Sequence, residues 1–229
     1  MYDQMFPLKI NYIEHSDNPD KISTLVREYD TVDKTHLYND CPVFRHKSCR
    51  TFVGYSPVDF ELKYNKEENL LWCSNNKYID LLENQEDPIG LQLNFCNFSF
   101  WTDNPDVWME YSTHPLTSLN NNYTCVEGWF NLSNWSRTTS LAIIIVDPSK
   151  PVIIKKGDPI FRIKFLSRNL DRGVVLNKKG EIYEWSYDNP LIQEFVKTQS
   201  KNFKEGNKLF SKTKKCPFRF LFKHRLGMT

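Results

Sequence analysis

Between Thr51 and Leu176 apolar and polar residues alternate with a period of two, the repeat of strands that bury one face. The stretch Val58-Asp59-Phe60-Glu61-Leu62-Lys63-Tyr64 alternates strictly. Leu70-Leu71-Trp72-Cys73 returns after the polar residues 65–69, which predicts a hairpin. Further strands are predicted over Thr51–Tyr55, Leu91–Trp101, Val107–Tyr111, Thr124–Phe130, Leu141–Val146, Val152–Ile154, Ile160–Leu166 and Val174–Leu176, with an earlier one over residues 6–14. Short strands at this spacing indicate a mainly β chain: an antiparallel β-sandwich, jelly-roll or barrel-like body. Two turns fit it. Asp147-Pro148-Ser149-Lys150 puts proline where its fixed φ suits the second turn position. Lys156-Gly157-Asp158-Pro159 supplies a glycine free to take positive φ, making 152–166 a hairpin or a corner.

Helical signals are few. Lys21–Glu28 reads as one short helix, and Asp30–Tyr38 as irregular. A second helix opens with Asp188 or Asn189 as cap and Pro190 at its first position. Its apolar residues Leu191, Ile192, Phe195, Val196, Phe203 and Phe210 form a face to pack on the β body. Phe218-Arg219-Phe220-Leu221-Phe222-Lys223 reads as an edge strand or a basic aromatic arm. The expected organisation is one β-rich domain over 1–187, including an N-terminal extension over residues 1–40, followed by a helix and basic aromatic tail over 188–229.

Composition narrows the class. At 40% hydrophobic and 14% aromatic residues the chain can bury a core and is not a disordered polymer. The longest apolar run, Leu141–Val146, falls far short of the roughly 20 residues that span a bilayer. Met1-Tyr2-Asp3-Gln4 lacks the charged and apolar regions of a secretory signal. The expected location is therefore a cytosol, with no membrane partner. Six dispersed cysteines are expected to stay reduced, and no cofactor is expected. The four Asn-x-Ser/Thr sequons at Asn97, Asn122, Asn131 and Asn134 carry no weight in such a setting.

The net charge of +2 hides a polarity. Residues 1–110 hold 19 acidic and 10 basic side chains, leaving 9 and 20 of the chain's 28 and 30 for the remainder. From residue 197 to 225 ten lysines and arginines face one acid, Glu205. Within that tail Lys208, Lys212, Lys214, Lys215, Arg219, Lys223 and Arg225 interleave with phenylalanines, a pattern for following a phosphate backbone, for docking on an acidic protein surface, or for an ordinary solvated face.

Few residues suggest chemistry. Cys41-x4-His46-x2-Cys49 offers two thiolates and an imidazole, one ligand short of a zinc site and off the usual finger spacings, so metal is not expected. No nucleophile elbow, Walker loop or dinucleotide glycine pattern occurs. His114, in a loop between strands, is the histidine best placed for a site; the alternative is a surface or capping role. The aromatic series Phe95, Phe98, Phe100, Trp101, Trp108, Tyr111, Trp129, Phe130 and Trp135 fills a core or lines a groove with Asn94, Asn97, Asn104 and Arg137. His114, Trp129, Trp135 and Arg137 are accordingly the candidate ligand-binding set, because a guanidinium beside tryptophan can grip a carboxylate or phosphate with both prongs.

Three stretches together resemble a family: Cys41-Pro42 leading to Thr51-Phe52 and Ser56-Pro57-Val58-Asp59-Phe60; Glu127-Gly128-Trp129-Phe130 leading to Asn134-Trp135; and Lys156-Gly157-Asp158-Pro159-Ile160. They resemble an uncharacterised family of tailed-phage, particularly marine-phage, and bacterial proteins, over about residues 40–170. The resemblance implies a β-rich body and a viral source, and carries over no catalytic residue. The Lys-Gly-Asp-Pro-Ile turn also resembles turns in the trimeric barrels of dUTPase-like enzymes, whose nucleotide-site motifs this chain lacks. The resulting expectation is a phage-type, non-enzymatic binding or assembly component that self-associates or binds a protein. The alternatives are a small-molecule or nucleotide-processing enzyme on a β-barrel, and nucleic-acid binding through the tail.

Overall fold

The computed structural model describes residues 7–16, 24–31, 41–65, 67, 70–76, 79–81, 90–115, 121–134, 136–168, 173–183 and 185–198. Their strands form three sheets. In the largest, sheet A, the order is β14 (Val174–Ile182), β1 (Leu8–His15), β7 (Gly90–Trp101), β11 (Arg137–Ile145) and β9 (Tyr123–Cys125), with β6 (Ile79–Leu81) also pairing with β7. Among the described residues only β1 and β14 run parallel. One edge of β7 is divided, with β1 opposite Asn97–Trp101 and β6 opposite Leu91–Leu93. Sheet B is antiparallel, in the order β10 (Gly128–Asn131), β8 (Trp108–Thr113), β13 (Pro159–Leu166), β3 (Thr51–Tyr55) and β2 (Thr24–Arg27). Sheet C comprises β12 (Val152–Ile154), β4 (Phe60–Asn65) and β5 (Leu70–Cys73).

The predicted period of two is the physical basis of the sandwich. Along β8 Met109, Tyr111 and Thr113 point inward, and along β13 Phe161, Ile163 and Phe165 do the same. From the facing sheet Leu8, Ile10, Tyr12, Phe98 and Phe100 meet them. The rings interlock between the sheets, Phe98 edge-on to Phe161 at 6.1 Å and Phe100 edge-on to Phe165 at 5.8 Å. Each such phenylalanine contributes about 2 kcal/mol by burial, and ring geometry adds about 1 kcal/mol per pair. Phe60 packs on Phe95 at 5.4 Å, joining sheet C to the same hydrophobic cluster. At the open side, Arg27 of β2 lies over the Phe52 ring and donates from its guanidinium to the Val174 carbonyl at 3.0 Å, tying the margin of sheet B to that of sheet A.

Among the described residues, helices α1 (Glu28–Thr31), α2 (Pro42–Ser48) and α3 (190–198) accompany the sheets. The helix cap at Asn189 is as the sequence indicates, its Oδ1 accepting from the Leu191 N–H at 2.9 Å. α3 covers the outer face of sheet A, where Ile192 and Phe195 join Ile13, Trp101 and Ile182. α1 and α2 contact β3 on the outer face of sheet B, where Thr51 and Val53 are buried although they point away from the sandwich core.

Several elements differ from the sequence reading. Thr24–Arg27, inside the stretch read as helix, is strand β2 paired with β3, because the Thr-Leu-Val run fits a pleated edge better than a helix turn. α2 was not expected; Pro42 starts it, and Thr51 Oγ1 donating to the Lys47 carbonyl at 2.8 Å closes it. The single strand predicted over Thr124–Phe130 is two, β9 in sheet A and β10 in sheet B, with Val126 and Glu127 crossing between them. Residues 152–166 form a corner, β12 pairing with β4 while β13 pairs with β3 and β8. The strand predicted over residues 6–14 is present as β1, which is an inner strand of sheet A.

Candidate functional site

The outer face of sheet B follows from register. Since the inward residues of β8 and β13 have odd numbers, Trp108, Glu110 and Ser112 point outward, as do Arg162, Lys164 and Leu166. β10 adds Trp129 opposite Glu110, and Asn131 opposite Trp108. Trp108 and Trp129 are therefore diagonal neighbours about 7–8 Å apart. They are 39% and 61% exposed, a large apolar surface in water. The charges around them are matched internally. Lys164 bonds Glu110 at 2.9 Å, Arg162 bonds Glu28 of α1 at 3.3 Å, and Arg168 pairs with Asp106 at 3.0 Å. The first two pairs are largely shielded from solvent, so losing one partner strands a desolvated charge.

His114 follows β8 on this sheet, half-buried, beside the Arg162–Glu28 pair. Burial pulls its imidazole below the ordinary range and Arg162 lowers it further, against Glu28, so the ring is neutral at pH 7. Buried atoms of this cluster lack hydrogen-bond partners among the described residues: His114 Nδ1, Arg162 Nε and Glu28 Oε2. Sequence reasoning missed Glu28 and Arg162. They lie 134 residues apart, and only the stacking of β2, β3 and β13 brings them together.

The other candidates separate. Trp135 lies outside the described residues, and the backbone of Arg137 opens β11 opposite Phe100 in sheet A, whereas Trp129 belongs to sheet B. Lys208, Lys212, Lys214, Lys215, Arg219, Lys223 and Arg225 also lie outside the described residues. Cys41 and Cys49 bracket α2 at opposite ends, about 12 Å apart along the axis at 1.5 Å per residue, while thiolates on one zinc each sit about 2.3 Å from it. His46 lies in the helix between them. Among the described residues no group of three His, Cys, Asp or Glu is placed to hold a metal ion. The aromatic series divides: Phe95, Phe98, Phe100, Trp101 and Tyr111 are core, Phe130 packs at its margin, and Trp108 and Trp129 are surface.

Sheet A has its own buried polar groups. Glu14 is 3% exposed and bonds Lys178, which also holds Glu181; burial pushes the Glu14 carboxyl up, with Lys178 opposing. On the opposite face His15 Nε2 lies 2.7 Å from Ser99 Oγ, itself 2.7 Å from Thr138 Oγ1. Ser99 is fully buried and so cannot serve as a nucleophile for an outside substrate.

No protein-family model and no curated protein matches the chain. Among solved structures, a point mutant of the Staphylococcus bacteriophage 80alpha dUTPase is similar over 72% of this chain and 97% of its own, at 6% identity and a TM-score of 0.33. At that score the likeness carries nothing about chemistry over to this chain. Among the described residues no helix is long and apolar enough to cross a membrane.

Proposed function

We propose that the protein is a non-enzymatic assembly component that binds a second copy of itself through the outer face of sheet B. The observation that carries this is the pair Trp108 and Trp129, exposed side by side on β8 and β10 among charges already neutralised in pairs. A two-fold contact brings a patch against its own image, so a patch of one sign would repel itself. This patch has no excess sign and presents two indoles, the side chain most enriched at the energetic centre of interfaces. The resemblance to tailed-phage proteins supports a place for such a component in a viral particle or its assembly.

Sedimentation equilibrium of the full chain tests it. The wild type is expected to associate reversibly in the micromolar range, and Trp129→Ser to weaken association by roughly 1,000-fold, because a two-fold contact loses the ~2 kcal/mol typical of a central tryptophan from each copy. A wild type that stays monomeric, or a Trp129→Ser variant that associates equally well, overturns the proposal.

A second reading, a small-molecule site, has one supporting observation: the unbonded His114 Nδ1, Arg162 Nε and Glu28 Oε2. A guest there would accept from Arg162 and donate to Glu28, which asks for a neutral group with both capacities or an ordered water. Native mass spectrometry of the purified protein separates these, since a bound small molecule lost in His114→Ala supports the reading and unloaded protein rejects it.

A further inference from the structure

α3 rests on a hydrophobic cluster distinct from the sandwich core. Ile192 and Phe195 pack with Ile13, Trp101 and Ile182, and Leu191 and Val196 sit at the margin. Leu191 occupies the space left by Gly180 on β14. Beside this seat lies the His15–Ser99–Thr138 chain of hydrogen bonds. The Trp185 indole stacks over the His15 ring at 5.5 Å with 24° between planes. Trp185 in turn meets Phe195 edge-on at 6.2 Å, and Phe195 meets Trp101 edge-on at 5.8 Å. The 185–198 segment is thus a roof over His15.

Beneath that roof an imidazolium would have no counter-ion among the described residues. From β7 Ser99 and Asn97 are neighbours, from β11 Thr138, from β14 Ile182, and from the roof Trp185 and Phe195, all uncharged. Lys179 of β14 and Glu194 of α3 satisfy each other at 3.1 Å. Glu14, Lys178 and Glu181 form their own network on the inner side of the sheet, with Tyr183 donating to Glu181. Glu184 lies outside the described residues.

We propose that residues 185–198 are a pH-gated latch: protonation of His15 releases the segment from sheet A and bares Ile13, Trp101 and Ile182 beside the end strand β14, while the sandwich stays folded. The physical reason is desolvation, since the docked roof excludes water from a ring that an undocked segment would leave wet. Burial accordingly lowers the His15 value from 6.5 to about 4. The released state binds the proton more readily than the docked state, so docking is at full strength above pH 6.5 and weakens as pH falls from 6.5 towards 4. Linkage over that interval makes docking about twentyfold weaker at pH 5 than at pH 7. Because the cluster under α3 is separate from the main core, this opening is local.

Amide hydrogen exchange, read by NMR on the full chain and corrected for intrinsic rates, tests the latch. Amides 194–198 are expected to open about twentyfold more at pH 5 than at pH 7, with the amides of Phe98 and Phe161 unchanged. His15→Gln, which keeps a hydrogen-bonding group towards Ser99 and cannot take up charge, is expected to abolish the pH dependence. The proposal is overturned if α3 opening is independent of pH, if it rises in step with the core amides, or if His15→Gln retains the rise. Should that variant fold poorly, the His15 ring titration in the wild type decides: an apparent value well below 6.5 supports the latch, and one at or above 6.5 refutes it.

Discussion

Gly54 of β3 stands opposite Phe161 of β13, and the phenyl ring lies across the bare glycine: a Cβ built there would be 2.1 Å from Phe161 Cζ. The ring cannot step aside, because Tyr111 stacks on it at 4.9 Å and Phe98 meets its edge at 6.1 Å. Gly54→Ala is therefore an overpacking change at the centre of the sandwich. It should cost about 1–3 kcal/mol, read as a fall in the urea midpoint at unchanged slope. A neutral Gly54→Ala would mean that the two sheets are not held at the spacing their rings define.

A second relationship fixes a turn. Asn122 has φ +56°, its amide donates to the Asp147 and Lys150 carbonyls at 2.8 Å each, and its Oδ1 accepts from the Asp147 N–H at 2.8 Å. Asn122→Ala removes these bonds and leaves an unfavoured left-handed residue, whereas Asn122→Gly removes the bonds alone. The expected order of stability in thermal unfolding is wild type, then Gly, then Ala, with Ala losing about 1–3 kcal/mol.

The same turn has a proton signature. Hydrogen bonds from Ser149, then from Lys150, hold the Asp147 carboxyl down at about 2 against an ordinary 3.8. Since the folded value is the lower one, the turn's contribution is complete above pH 3.8 and disappears as pH falls through 2. Carboxyl-carbon NMR should show Asp147 titrating near 2 in the wild type and moving towards 3.8 in Ser149→Ala.

Thiol reactivity should separate two cysteines. Cys125 is buried, and burial pushes its thiol up to about 12, whereas Cys41 is exposed at the start of α2. Brief alkylation at pH 8 followed by peptide mapping should modify Cys41 and spare Cys125 until the protein is unfolded.

The sequence made the strands legible wherever alternation was uninterrupted, as from Val58 to Tyr64, because burial of one face leaves a direct trace in residue order. It could not separate β9 from β10, since Val126 and Glu127 continue a β-like composition through the point where the chain changes sheets. Nor could alternation say which face is covered. Phe98 and Trp129 both sit at strand positions, yet one meets the opposing sheet and the other meets water. Of the candidate set His114, Trp129, Trp135 and Arg137, strand pairing places Trp129 on sheet B, next to the loop that carries His114, but an ion pair between distant strands such as Glu28–Arg162 leaves no local pattern to read.

The exposed indoles are the feature on which the functional account turns, and exchange of the β10 amides at low and high micromolar concentration tests it most directly. Self-association through this face predicts that protection of Trp129, Phe130 and Asn131 grows with concentration, while β1, an inner strand of sheet A, is unchanged. Protection of β10 that stays constant across that range would contradict it.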